Sequence, residues 1–165
     1  MEAAVEIILK KGLVKAAKTA GKVASEGEVR TMVSADGKTG TIVEVNCQTD
    51  FVSRGDQFRD FVGKVLEAAT GAKAGSDLGT AKFPGTDRTV EAERLELAGK
   101  IGENIVIRRW DTLSIEGNGF VHAYIHMGGK NAALVGITTG NADAVKNDDV
   151  KAFADNLSMQ IVAMR

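Results

Sequence analysis

Along residues 41–47, Thr41, Val43, Val45 and Cys47 alternate with Ile42, Glu44 and Asn46. This period of two, rich in β-branched side chains, predicts a strand with one buried face. The strand runs into a polar corner, Asn46, Gln48, Thr49 and Asp50, with the apolar Phe51 just beyond. Two readings of that corner are open. In one, Asp50 or Ser53 caps the following helix and Phe51 tucks beneath it as a hydrophobic staple. In the other, a stiff strand holds a carboxylate and a ring outward to meet a partner. Upstream, Val29, Thr31 and Val33 alternate with Arg30 and Met32, and Asp36-Gly37 suits a tight turn with positive φ, so residues 28–47 read as a β-hairpin.

The helical period takes over at residues 57–69, where Phe58, Phe61, Val62, Val65 and Leu66 form one apolar stripe that must pack on the sheet. A phenyl stripe of this period belongs to a core. Residues 70–85 are rich in Gly, Ala, Ser and Thr and hold the only proline, Pro84, which predicts a flexible connection. A helix over 87–101 then stops at Gly102, and residues 103–113 read as a strand with Ile105 and Ile107 on one face and Val106 and Arg108 on the other. Alternation likewise turns Arg108 and Arg109 to opposite faces.

Residues 118–137 repeat the pattern of residues 28–45. Strands are predicted over 120–126 and 132–138, with the turn at Gly128-Gly129-Lys130. A helix over 147–164 follows, capped by Asn147 or Asp148, with Val150, Phe153, Ala154, Leu157, Ile161 and Met164 as its buried stripe. The first unit is therefore hairpin–helix–helix–strand, and the second is hairpin–helix with no closing strand. At the N-terminal end, residues 2–9 read as a short helix with Ala3, Ile7 and Ile8 on one face, ended by Gly12. A second helix is predicted over 13–25, with Leu13, Ala17, Ala20 and Ala24 along one side.

The predicted fold class is α+β: N-terminal helices, then two related hairpin-plus-helix units with antiparallel sheets, the second lacking its closing strand. The expected divisions are 1–26 (helical, with a basic linker), 27–114 (first α+β unit) and 115–165 (second, incomplete unit). An open sheet edge in the second unit is a surface through which two copies could pair.

Charge changes the picture only locally. The whole chain carries a net charge of −1, which gives no general case for nucleic acid. Residues 1–25, however, hold five lysines against two glutamates. Lys11, Lys15, Lys18 and Lys22 are four, three and four apart, so a helix lines them along one face. That face is either simply solvated or a basic stripe that steers an acidic partner. A single cysteine, Cys47, excludes an internal disulfide and fits a reducing compartment. No apolar run approaches the ~20 residues of a membrane helix, and no signal-peptide pattern is visible. Asn156-Leu157-Ser158 is a formal glycosylation triplet inside a predicted helix and is discounted.

Candidate chemistry is sparse. His122 and His126 share a strand face with Tyr124 between them, but no third metal ligand is placed near them. There is no nucleophile elbow and no phosphate-binding loop of the Gly-x-x-x-x-Gly-Lys-Ser/Thr type, so neither an enzyme nor a nucleotide-binding protein is predicted, and no cofactor or metal is implied. Arg108-Arg109-Trp110 offers one aromatic with flanking arginines, a poor platform for single-stranded nucleic acid.

The run Val43-Glu44-Val45-Asn46-Cys47-Gln48-Thr49-Asp50-Phe51-Val52-Ser53-Arg54 closely resembles the signature of the elongation factor Ts family. Other pieces match in the same order: Lys10-Lys11-Gly12, Lys15-Ala16-Ala17-Lys18, Ala24-Ser25-Glu26-Gly27, then Lys100-Ile101-Gly102-Glu103-Asn104-Ile105 with Arg108-Arg109. The resemblance implies a non-enzymatic guanine-nucleotide exchange factor in the cytoplasm or an organelle matrix, whose partner is the GTPase elongation factor Tu. It implies that Thr49, Asp50 and Phe51 press on the partner's Mg²⁺ and phosphate region, and that Lys15, Lys18 and His126 hold the factor in register. Relatives often carry lysine where Thr19 stands, which puts one such contact in doubt. Residues 2–12 resemble only the last helix of an N-terminal ubiquitin-associated-like domain, and relatives continue beyond the last helix with further helices and a strand. The expectation is a short or truncated form. The alternative is an α+β interaction module that has lost exchange activity through truncation.

Overall fold

The computed structural model describes residues 12–164. The helix predicted over 2–9, and Lys10 and Lys11, lie outside the described residues. Within the described residues the first helix, α1, covers 12–19, with Gly12 itself helical. It ends well short of residue 25. Its inward side is Ala16 and Thr19, not Leu13, Ala17 and Ala20, which are exposed. Lys22 lies past the helix end, so only Lys15 and Lys18 of the predicted stripe stand on it among the described residues.

Strands β1 (Glu26–Val33) and β2 (Thr39–Cys47) form the expected hairpin, with Glu26 opposite Cys47 and Val33 opposite Gly40. Gly37 takes φ +70° in the turn, as the Asp-Gly pair predicts. The period-two pattern of β2 is read out directly: Thr41, Val43, Val45 and Cys47 are all buried. Two helices follow, α2 (Asp50–Arg54) and α3 (Asp56–Thr70), divided by Gly55. On α3 the full stripe of Phe58, Phe61, Val62, Val65 and Leu66 is buried against the inner face of the sheet.

The connection predicted as flexible is instead pinned to the core. Leu78, in a short 3₁₀ turn, and Phe83 are both buried, and Phe83 stacks on Phe61 with ring centroids 5.6 Å apart. Two aromatic and aliphatic anchors in a Gly-rich run were enough to fix it. Helix α4 (Val90–Ile101) starts three residues later than predicted. Thr89 caps it by accepting from the Ala92 amide, and it ends at Gly102, whose φ of +85° suits glycine.

Strand β3 (Val106–Ser114) pairs with the free side of β2, giving the order β1-β2-β3. The second unit comprises β4 (Gly119–His126), β5 (Asn131–Thr138), a 3₁₀ turn (Asp143–Lys146) and α5 (Asp148–Ala163), capped by Asn147. Its sheet has two strands, β4-β5, among the described residues. The hairpin leans on the first unit. The Val29 amide donates to Gly129 O at 2.7 Å, the Val121 amide to Gly37 O at 2.7 Å, and Lys130 pairs with Glu26 at 2.5 Å.

The predicted buried stripe of α5 is only partly right. Ala154 and Ser158 are fully buried and face the hairpin, whereas Phe153, Ile161 and Met164 are 58%, 42% and 78% exposed. A sheet of two strands covers a narrow strip of helix, and small side chains allow the close approach there. The helical period is right; which part of the apolar arc is covered depends on the width of the neighbouring sheet.

Candidate functional site

Strand β2 stops at Cys47, and the chain turns at Gln48 and Thr49 into α2. Thr49 is extended (φ −122°, ψ 154°), and its hydroxyl accepts from the Val52 amide as an N-cap. Asp50 and Phe51 thus stand on the first turn of a short helix, which corrects the reading of a strand that carries them. Inward, Ser53 is buried and its hydroxyl donates to Asp50 O at 3.0 Å. Outward, Phe51 is 86% exposed and Asp50 lies 3.3 Å from Arg54 one turn on. The staple reading of Phe51 is excluded, because a ring 86% exposed is not tucked beneath the helix among the described residues.

Two amides at the corner fall beyond the sheet ladder, whose last β2–β3 pair is Asn46 with Val106. Both donate to one oxygen of Glu103, from Gln48 and from Thr49, each at 3.1 Å. The Thr49 hydroxyl donates to the other oxygen at 2.7 Å. The hydroxyl is therefore engaged within the chain on both sides. The next residue, Asn104, is buried, and its side-chain amide donates to Ala20 O at 3.2 Å and Lys22 O at 2.8 Å. It satisfies carbonyls just past α1 and sets where that helix stops. Lys15 and Lys18 stay exposed on α1.

His126 ends β4, exposed, with its Nδ1 2.9 Å from the Tyr124 hydroxyl and the two rings stacked at 5.9 Å. The turn that follows is anchored beside Glu26, which is paired across the sheet with Cys47. The tip of the second hairpin, the Thr49-Asp50-Phe51 corner and the end of α1 accordingly gather at one end of the three-stranded sheet. His122 has a different place: its Nε2 is 3.3 Å from Asp155 on α5, which joins the helix to its hairpin.

Arg108 and Arg109 do not point to opposite faces. The β2–β3 register shifts between Glu44 and Val45, leaving Arg108 as the extra residue of a bulge. Both guanidinium groups then reach Glu44, Arg109 at 2.7 Å and Arg108 at 3.8 Å. Trp110 is partly buried and packs against the core. Sequence reasoning missed the parts of Glu103, Asn104 and Tyr124. The contacts of Glu103 and Asn104 span 54 to 84 residues, so no local pattern could carry them.

An α+β scaffold that braces an exposed ring, a carboxylate and a basic helix at one end of a sheet defines a protein that presents side chains outward. The family profile described as Elongation factor TS matches residues 48–165. The chain is 42% identical over 165 residues to the elongation factor Ts of Clostridium perfringens, covering 99% of this chain and 52% of that protein. It is 42% identical over 166 residues to that of a Nitratiruptor species, covering 99% and 53%. For Halothermothrix orenii the identity is 41% over 167 residues, covering 99% and 54%. The chain belongs to the elongation factor Ts family. It spans about half the length of the curated relatives it matches.

Proposed function

We propose that this chain is a guanine-nucleotide exchange factor acting in translation elongation, which binds elongation factor Tu and promotes GDP release. The observation that carries the proposal is the Phe51 ring, 86% exposed on a corner whose own backbone and cap are held internally. An apolar ring left in water by a well-packed domain has its largest gain in free energy when a partner buries it. Phe51 and Asp50 press into the GTPase domain and disturb the contacts that hold Mg²⁺ and the GDP phosphates. Lys15 and Lys18 on α1, and His126 on the second hairpin, supply docking contacts on the same side. Residues 1–26, 27–114 and 115–165 divide this work as a basic lead, the unit with the corner, and the unit with the histidine.

The physics is linkage. A factor that binds the nucleotide-free GTPase more tightly than the GDP-bound one must weaken GDP by the same ratio. The activity involves no bond making or breaking in this chain. Its test is dissociation of labelled GDP from elongation factor Tu with and without the chain. Release is expected to accelerate with added chain and to saturate. An unchanged rate overturns exchange activity, and capture of nucleotide-free elongation factor Tu without acceleration would leave an interaction module.

A further inference from the structure

We propose that Glu103 is a positioning residue that latches the Asp50–Phe51 corner in its outward-facing conformation. The inference rests on the docking reading above for its consequence, but its structural part stands on geometry alone. Helix α2 has five residues, too few to be stable by itself, so its direction is set by what holds its ends. One end is joined through Gly55 to α3. At the other, the amides of Gln48 and Thr49 have no ladder partner and converge on Glu103 Oε2.

The Thr49 hydroxyl has one proton, and it goes to Glu103 Oε1. That choice turns a lone pair toward the Val52 amide, the cap of α2. Three donors thus end on one carboxylate, and charge-assisted bonds of this kind are stronger than neutral ones. Glu103 is itself fixed between Gly102, which ends α4 in the left-handed conformation, and the buried Asn104, which fastens the end of α1. A single two-residue step, Glu103-Asn104, therefore ties both the ring-bearing corner and the lysine-bearing helix to the rigid end of α4.

Three variants test this: Glu103→Ala, Glu103→Gln and, as the reference for docking, Phe51→Ala. Amide hydrogen exchange reads the latch without any partner. Glu103→Ala is expected to lower protection at Gln48 and Thr49 by roughly tenfold or more, while β2 and α3 amides keep theirs. Glu103→Gln keeps one acceptor oxygen and should fall between Glu103→Ala and the wild type.

With elongation factor Tu, Glu103→Ala should lower the maximal stimulated GDP release at saturating factor. A variant that merely unfolds in part would shift the half-saturating concentration and leave that maximum in place. Unchanged protection at Gln48 and Thr49, or a shift confined to the half-saturating concentration, overturns the latch. Should Glu103→Gln abolish release while keeping full protection, the carboxylate touches the partner directly and the latch is again wrong. If Phe51→Ala leaves release unchanged, the docking reading fails, and the latch is decided by the exchange data alone.

Discussion

Phe51 and Phe58 stand seven residues apart in adjoining helices; the first ring is 86% exposed and the second is completely buried. Their substitutions should therefore separate function from folding. Phe51→Ala removes little packing among the described residues and should change stability by no more than about 0.5 kcal/mol. Its expected effect is on association with elongation factor Tu, weakened roughly ten- to a hundred-fold if the ring is fully buried there. Phe58→Ala empties a core site and should cost about 3–5 kcal/mol. Urea unfolding and a titration of nucleotide-free elongation factor Tu measure the two effects. A Phe51→Ala protein as unstable as Phe58→Ala would contradict the exposed placement of the ring.

The periodic parts of the molecule were legible from sequence because their causes are local. Alternation in β2, the stripe on α3 and the Asn147 cap each depend on neighbours within a turn or a strand. Three of the misreadings have distant causes. Helix α1 ends at residue 19 because Asn104, more than eighty positions away, receives the chain there. The corner is a capped helix because Glu103 satisfies its amides. Arg108 and Arg109 share Glu44 because pairing with β2 forces a bulge that alternation cannot foresee. At the site, the sequence left two readings of Phe51 open, and its 86% exposure removes the staple; that a partner meets the ring is the proposal above. Thr49, expected beside Asp50 and Phe51 at the partner's Mg²⁺ and phosphate region, has its hydroxyl committed to the cap and to Glu103, a pairing no local pattern signals.

Gly99 allows α1 to approach α4. A methyl group at this position would fall inside the van der Waals radius of the Gly12 carbonyl, which is backbone and has no side chain to swing away. In an isolated helix, Gly→Ala would be favourable by up to about 1 kcal/mol. Here the clash should reverse the sign, so Gly99→Ala is expected to destabilise by about 1–3 kcal/mol, as overpacking does. The loss should concentrate on α1. Amide exchange at residues 16–20 should accelerate, and binding to elongation factor Tu should weaken as Lys15 and Lys18 lose their fixed positions. A more stable Gly99→Ala protein would show that the helices separate without cost.

Cys47 closes β2 with no exposed surface, and its Sγ donates to Thr49 O at 3.3 Å. Burial pushes the thiol up from 9.0 to about 11, and the nearby charge of Glu103 adds to the rise. Because the folded value lies above the unfolded one, the fold favours the protonated thiol. That contribution is fully present below pH 9 and disappears as pH rises toward 11. Unfolding free energy should accordingly fall more steeply from pH 9 to 11 in the wild type than in Cys47→Ala, since the lysines titrate in both. The same shift keeps the thiolate scarce at neutral pH. A thiol reagent at pH 7 should label the native protein only as fast as the corner opens, and the urea-unfolded protein at the rate of a free cysteine. Equal slopes in the two proteins, together with rapid labelling of the native state, would mean that β2 does not close over Cys47 in solution.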